Sequence, residues 1–409
     1  MLQQKMFQDN DFECYLVDNN YDERINKEVI FQKIDKETDG KFLLYLKENI
    51  FQNNQKLDDL LKRIKESWNK DKMVELTRKE IFTLIISMFL QLINRKKQYG
   101  GFYIINMEYI KNSSFLCQQK MQCIINYIKQ FYKNKKNIEF INDIVKFIKN
   151  TQNDAFSYKV DDISKKNINI EITNRRNEDQ MNSTVVDFAD ENIGGLTLDS
   201  YNCAQEEILM LIYPEALVSM IFIPPMKADE AVLIKNIKKF SNYSGYEQSF
   251  KWKQQQQDWI NYNFNMLAID AKPFHGNQIK CYLGFLIALQ EAPDQNISTG
   301  RWGCGIFGGN QYLKTIIQLT CFAQAKYQTN INNNNTGTAK LIINASNNTE
   351  LFNFVNKLKS YGEVLNLENL DKLIKQLQFQ NDDQFQNYII NYFQQLPESQ
   401  KPLKQIRKQ

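Results

Sequence analysis

Gln205, Glu206 and Glu207 stand together where an apolar stretch opens at Ile208. Just upstream, the strand-like run "TVVDFA" carries Asp187, and Gly194-Gly195 follow before a polar loop. Two adjacent carboxylates at a helix start have two readings. Acidic side chains in a first turn are favoured by a few tenths to about 1 kcal/mol through the helix dipole, with no function needed. Neighbouring helical residues also diverge by about 100°, so the two carboxyls need not share a task. In the chemical reading, one carboxyl holds sugar hydroxyls while the other protonates a leaving oxygen as an oxocarbenium-like centre forms. The spacing alone leaves both readings open.

Glycines gather at two places. Gly194-Gly195 precede the helix at Glu206. In "TGRWGCGIFGGNQYLKTIIQL", Gly300, Gly303, Gly305, Gly308 and Gly309 precede a clear helix. Glycines let backbone N–H groups turn inward toward an anion, and a following helix start adds positive dipole. Two such loops could grip a diphosphate, or they could be tight turns. The second run, with Trp302 and Phe307 among its glycines, favours a ligand loop. In "KFSNYSGYEQSFKW", aromatics at this density favour core, although Tyr246 beside Gly245 could lie over a sugar or purine.

Composition removes other chemistries. The only histidine is His275, read as a loop residue, and the seven cysteines are dispersed without a CxxC pair. A zinc site or a Ser-His triad is therefore not expected, and neither a metal nor a cofactor is predicted. Dispersed thiols suggest a reducing compartment, the nucleus or cytoplasm. The net charge of +4 is too small to argue for general nucleic-acid binding. "MLQQKMFQDNDFE" lacks the pattern of a signal peptide. The apolar run Ile81 to Ile93 falls short of the roughly 20 residues a membrane span requires.

Residues 1–150 read as helical. "VELTRKEIFTLIISMFLQLINRKK" has apolar residues at helical spacing behind a Thr77/Glu80 capping-box pattern, and "SSFLCQQKMQCIINYIKQFYKN" is amphipathic. From about residue 165, "NINIEIT", "TVVDFA", "LVSMIFIPP", "EAVLIKNI", "FNMLAIDA" and "AKLIINA" read as strands, with helices at Glu206–Tyr213 and Gln311–Tyr327. That alternation predicts an α/β domain over 151–409. "QTNINNNNTGTAK" and "QQQQ" read as polar surface loops. Two more helical stretches follow Thr349.

The motifs, in this order, resemble the eukaryotic poly(ADP-ribose) glycohydrolase family. The resemblance rests on "GGLTLDSYNCAQEEI", with "VDFA" before it and "YPEALVSMIF", "YSGYEQSFKW", "NMLAIDA" and "WGCGIFGG" after it. It covers about 175–330 well, and more loosely the helical region from about 75 and the C-terminal helices. It implies a macrodomain, a mixed sheet sandwiched by helices, with a helical accessory domain before it. It implies hydrolysis of ribose–ribose bonds in poly(ADP-ribose), on poly(ADP-ribosyl)ated proteins, with ADP-ribose as product. A monomer without direct DNA or membrane contact is expected.

By the same resemblance, Glu207 is the acid/base, Glu206 holds ribose hydroxyls and Asp187 supports them from a strand end. Gly194 and Gly195 approach the diphosphate. Gly303, Cys304, Gly305, Ile306, Phe307 and Gly308 wrap its other side, with Phe307 against the ribose. Tyr246 covers the ligand near the adenosine, and Asp190 and Gln205 complete the binding set. The chain departs from the family pattern at Leu196, where a third glycine is usual, and at Asp190, Arg301 and Ser346. Those departures keep a second reading open: an ADP-ribose-binding module without turnover.

Overall fold

The computed structural model describes residues 14–16, 21–51, 54–95, 107, 109–111, 114–151, 161, 164–255, 261–271, 278–333, 337–377 and 384–396. In chain order, α1 (Asn54–Asp71) leads into β1 (Met73–Thr77), α2 (Arg78–Phe89), α3 (Phe115–Asn134) and β2 (Ile144–Thr151). β3 (Ile170–Thr173), β4 (Ser183–Asp187), α4 (Gln205–Ile212) and β5 (Glu230–Ile237) follow. Then come β6 (Ser241–Ser244), β7 (Lys251–Gln254), β8 (Phe264–Ala268), α5 (Gln278–Glu291), β9 (Asn296–Thr299) and α6 (Gln311–Asn333). The chain closes with β10 (Leu341–Asn344), α7 (Thr349–Lys359), α8 (Leu367–Leu377) and α9 (Phe385–Gln395).

By packing, the chain forms two units: 1–148, 190–225 and 234–263 in the first, and 149–189, 226–233 and 264–409 in the second. The first is mostly helical. α1 buries Leu57, Leu60, Leu61, Ile64 and Trp68 along one stripe. α2 starts in the expected capping box: Thr77 Oγ1 accepts the Glu80 N–H at 3.1 Å, and Glu80 Oε2 accepts the Thr77 N–H at 2.8 Å. Each satisfies an N–H that a helix end would otherwise leave orphaned. The expectation that 1–150 is helical needs correction at two places: β1 pairs antiparallel with β2, Val74 opposite Phe147 and Leu76 opposite Val145, and Cys14–Leu16 pairs antiparallel with Ile93–Arg95. Val74 and Leu76 are buried between less buried neighbours, the period of two that marks a strand.

The second unit is built on parallel strands in the order β8-β4-β9-β10-β3. β4 and β10 are buried at every position, as expected of parallel strands covered on both faces. α5 packs on α6, and α6 packs on α7, α8 and α9.

Three local expectations change. "LVSMIFIPP" is not a strand: Pro214–Val218 is a 3₁₀ turn and Ser219–Phe222 a helical turn. Pro214 at the first position pre-sets φ for a helical start, and a short buried apolar run carries no period to oppose it. α6 continues to Asn333, into the first residues of the segment 328–340 read as a loop, while residues 337–340 carry no helix or strand. Its Thr329 is buried and returns its hydroxyl to the Ala325 carbonyl at 2.8 Å. Among the described residues three α-helices, not two, lie from Thr349 onward. His275, residues 256–257 and 334–336 lie outside the described residues.

Candidate functional site

In the first unit, α4 begins at the residues singled out by the sequence. Its N-cap, Ala204, has no side-chain acceptor; Glu207 supplies half of a capping box, Oε2 accepting the Ala204 N–H at 2.8 Å. Glu207 Oε1 accepts the Leu196 N–H at 2.9 Å. Glu206 accepts the Asp190 N–H at 2.9 Å through Oε2 and the Gly194 N–H at 2.7 Å through Oε1. Both glutamates are only 6% exposed, so these four backbone bonds offset much of the cost of burying two carboxylates side by side.

The glycines are explained by this seat. Gly195 has φ +43°, and a Cβ there would stand 2.6 Å from Glu206 Oε2 and 2.8 Å from Glu207 Oε1. Gly194 has φ +103°, and its Cβ would meet Met220 Cγ at 2.7 Å. The N–H groups expected to reach a diphosphate are otherwise engaged: Gly194 donates to Glu206, and Gly195 donates to the Asn192 carbonyl at 3.0 Å. Asp190 holds the same turn, its Oδ1 accepting the Asn192 N–H at 2.9 Å. Tyr246 is 50% exposed, and its hydroxyl bonds the Gln205 backbone near Glu207, while burial of that end pushes the phenol pKa up. Tyr243 and Phe250, by contrast, are core residues with stacked rings 5.8 Å apart.

Lys120 was hidden in the sequence within an ordinary amphipathic run. It is fully buried on α3, and its Nζ donates to the carbonyls of Leu196 at 2.9 Å and Asp199 at 2.7 Å. Burial pushes the ammonium below the usual lysine range, against the opposing pull of Cys203, Glu207, Cys117 and Asp199.

In the second unit, the chemistry lies beyond the carboxyl ends of parallel strands, where open α/β sheets hold ligands. Asp187 ends β4, fully buried, and its carbonyl accepts the Ile269 N–H at 3.3 Å. The glycine loop follows β9. Gly309 N–H closes it onto the Gly303 carbonyl at 2.9 Å, and Gly308 N–H returns to Gly305 at 2.9 Å. Among the described residues, the N–H groups of Gly305, Ile306 and Phe307 donate to no other group. Consecutive unengaged N–H groups at a tight turn suit an anion. Ile306 is 87% exposed and Gly305 exposed, while Cys304 and Phe307 are half-buried.

Trp302 is a support rather than a ligand platform: fully buried, it donates Nε1–H to the Ile269 carbonyl at 3.0 Å. Lys314, in the first turn of α6, is 2% exposed, with Nζ 4.5 Å over the Trp302 ring. A Cβ on Gly303 would lie 3.2 Å from that Nζ, and one on Gly309 would lie 2.9 Å from Lys314 Cε. Lys314, like Lys120, reads in sequence as an ordinary polar helix position. Among the described residues no group of three or more His, Cys, Asp or Glu is placed to hold a metal, and no helix is long and apolar enough to cross a membrane.

The first unit holds a carboxylate pair seated by backbone N–H groups, the arrangement of a proton-transfer site, and the second is a parallel α/β unit with a glycine loop that suits an anion. Comparison with known proteins is more specific. The family model for poly(ADP-ribose) glycohydrolase, macro domain fold, matches residues 157–336, and that for the helical domain of the same family matches 34–148. The chain belongs to the poly(ADP-ribose) glycohydrolase family. It is 31% identical over 194 residues to probable poly(ADP-ribose) glycohydrolase 2 of Arabidopsis thaliana, covering 34% of this chain and 37% of that one. It is 34% identical over 171 residues to poly(ADP-ribose) glycohydrolase 1 of Caenorhabditis elegans, covering 35% of this chain and 22% of that one. The matches thus span well under two thirds of these relatives' own length.

Proposed function

We propose that this chain hydrolyses the ribose–ribose O-glycosidic bonds of poly(ADP-ribose) and releases ADP-ribose. The observation that carries the reading is the Glu206-Glu207 pair, buried at the start of α4 with all four oxygens received by backbone N–H groups. Such a seat fixes a carboxyl within the tolerance that proton transfer demands. In this reading Glu207 gives its proton to the leaving ribose oxygen as the C1–O bond breaks. It then takes a proton from the water whose oxygen bonds to C1, which restores the acid. Glu206 holds ribose hydroxyls, and Asp187 supports them.

The N–H groups of Gly305, Ile306 and Phe307, in the loop from Gly303 through Gly308, take the diphosphate, Phe307 meets the ribose, Tyr246 covers the adenosine side, and Gln205 completes the binding set. The substrate is poly(ADP-ribosyl)ated protein in the nucleus or cytoplasm, met by a monomer without direct DNA contact and without a metal. Incubation of the pure chain with poly(ADP-ribose), in the presence of a chelator, is expected to yield free ADP-ribose. Binding of ADP-ribose without its release from polymer would refute the enzyme reading in favour of a binding module.

A further inference from the structure

We propose that Lys120 is a positioning residue for the general acid, acting on Glu207 through the loop that α3 holds from below. The inference rests on the glycohydrolase reading of Glu207. Lys120 is fully buried, and its Nζ donates to two neutral carbonyls, those of Leu196 and Asp199. Burying this ammonium is costly even with the pull of Glu207 and Asp199 nearby, and Leu or Met would fill the same place on an amphipathic helix without that cost. The geometry shows what the charge does there. Leu196 is gripped on both sides, its carbonyl by Lys120 and its N–H by Glu207 Oε1. The loop's far end, Ala204, is gripped by Glu207 Oε2. Beside the backbone bonds from the Asp199 N–H to the Leu196 carbonyl and from the Ile208 N–H to the Ala204 carbonyl, these two side chains tie the loop to α3 and α4, and a shift of either Glu207 oxygen pulls on a backbone N–H that this loop or α4 supplies. The helical region, which carries no chemistry of its own in the sequence, thereby reaches the acid/base.

Lys120→Met removes both donors and the charge, and Lys120→Gln keeps an amide donor. The experiment measures poly(ADP-ribose) turnover, ADP-ribose affinity by calorimetry and the melting curve for each variant, alone and combined with Glu207→Gln. K120M is expected to lower kcat about 10- to 100-fold, the scale of a catalytic group displaced by about 1 Å, with KM and ADP-ribose affinity within about threefold of wild type. K120Q is expected to fall between. In the Glu207→Gln background either change is expected to cost no further turnover, because residues acting as one unit are not additive.

Wild-type kcat in K120M, or a further loss on top of Glu207→Gln, overturns the inference and leaves Lys120 as scaffold. If K120M does not fold, K120Q and its double variant give the same comparison. Failure of the wild-type chain to release ADP-ribose is a different result, since it removes the glycohydrolase reading itself.

Discussion

Gly194-Gly195 and the Gly303–Gly309 run look alike as sequence, yet their backbone N–H groups have different fates. In the first loop the donors are consumed internally, by Glu206, Glu207 and the Asn192 carbonyl. In the second, the loop closes through Gly308 and Gly309, and Gly305, Ile306 and Phe307 donate to no group among the described residues. The first loop is a seat for carboxylates, and the second a cradle for an anion. Each lies against a buried lysine, but Lys120 is tied to loop carbonyls while Lys314 lies between the Trp302 ring and the backbones of Gly303 and Gly309. The same residue type at the same kind of turn can therefore serve the protein's own carboxylates or an anion from outside. What decides is which neighbour the N–H groups face.

The largest expected effect tests the seat at its chemical centre. Glu207→Gln is expected to lose about 10²- to 10⁴-fold in poly(ADP-ribose) turnover, because an amide cannot give the proton. Both oxygens of Glu207 accept an N–H, so the amide nitrogen must face one of those donors. A lower melting temperature is expected too, equivalent to about 1–3 kcal/mol for an unsatisfied buried donor. Near wild-type hydrolysis in that variant would dissolve the distinction between the loops, since the first would then seat nothing catalytic.

Alanine scanning sharpens the contrast one step further. Gly195→Ala drives a Cβ into both carboxylates at a positive φ, and turnover is expected to fall on the order of 100-fold through displacement of the pair. Gly305→Ala meets nothing within 4 Å and needs no positive φ, so it is expected to fold and turn over within a few-fold of wild type. Assays that ranked the two variants equally would show that the loops differ less than their geometry suggests.

Lys314→Met probes the cradle. Removing a cation that lies against the loop backbone is expected to weaken ADP-ribose binding roughly tenfold, with kcat at saturating polymer changed less. Titration calorimetry beside a turnover assay reads both, and a kcat loss without an affinity loss would move Lys314 out of the binding role.

How much of this was legible in the residues differs between levels. The carboxylate pair at a helix start, the Thr77/Glu80 cap and the alternating strand pattern after residue 165 are local signals, and the fold contains them. β1 and β2 were not legible, because their pairing partners are some seventy residues apart and no local hairpin links them. Lys120 and Lys314 were not legible either. A lysine on an amphipathic helix is ordinarily on the wet face, and only tertiary contacts reveal that these two are inside. The fate of the glycine N–H groups was equally hidden, because a sequence shows which residues permit a turn but not which acceptor the turn meets.

Leu196 carries the smallest expected effect and the clearest revision. The family resemblance leads to an expectation of a third glycine there, so the sequence offers two readings of Leu196: an obstruction whose replacement by glycine would raise activity or ADP-ribose affinity, or a core residue. The structure overturns the second reading: the side chain is 40% exposed, which excludes a core role. Leu196 is not among the residues with positive φ, so the backbone there does not call for glycine. Its N–H and carbonyl are held by Glu207 and Lys120, and both bonds are made by the backbone whatever the side chain. What glycine changes is the unfolded chain, whose greater freedom costs about 0.4–1 kcal/mol on folding. Leu196→Gly is therefore expected to melt slightly lower, with turnover and ADP-ribose affinity within about twofold of wild type, below the roughly 1.4 kcal/mol that a tenfold change requires. Tighter ADP-ribose binding by calorimetry would mean that the exposed Leu196 side chain obstructs the ligand after all. The first loop would then deal with the anion as well as with the carboxylates.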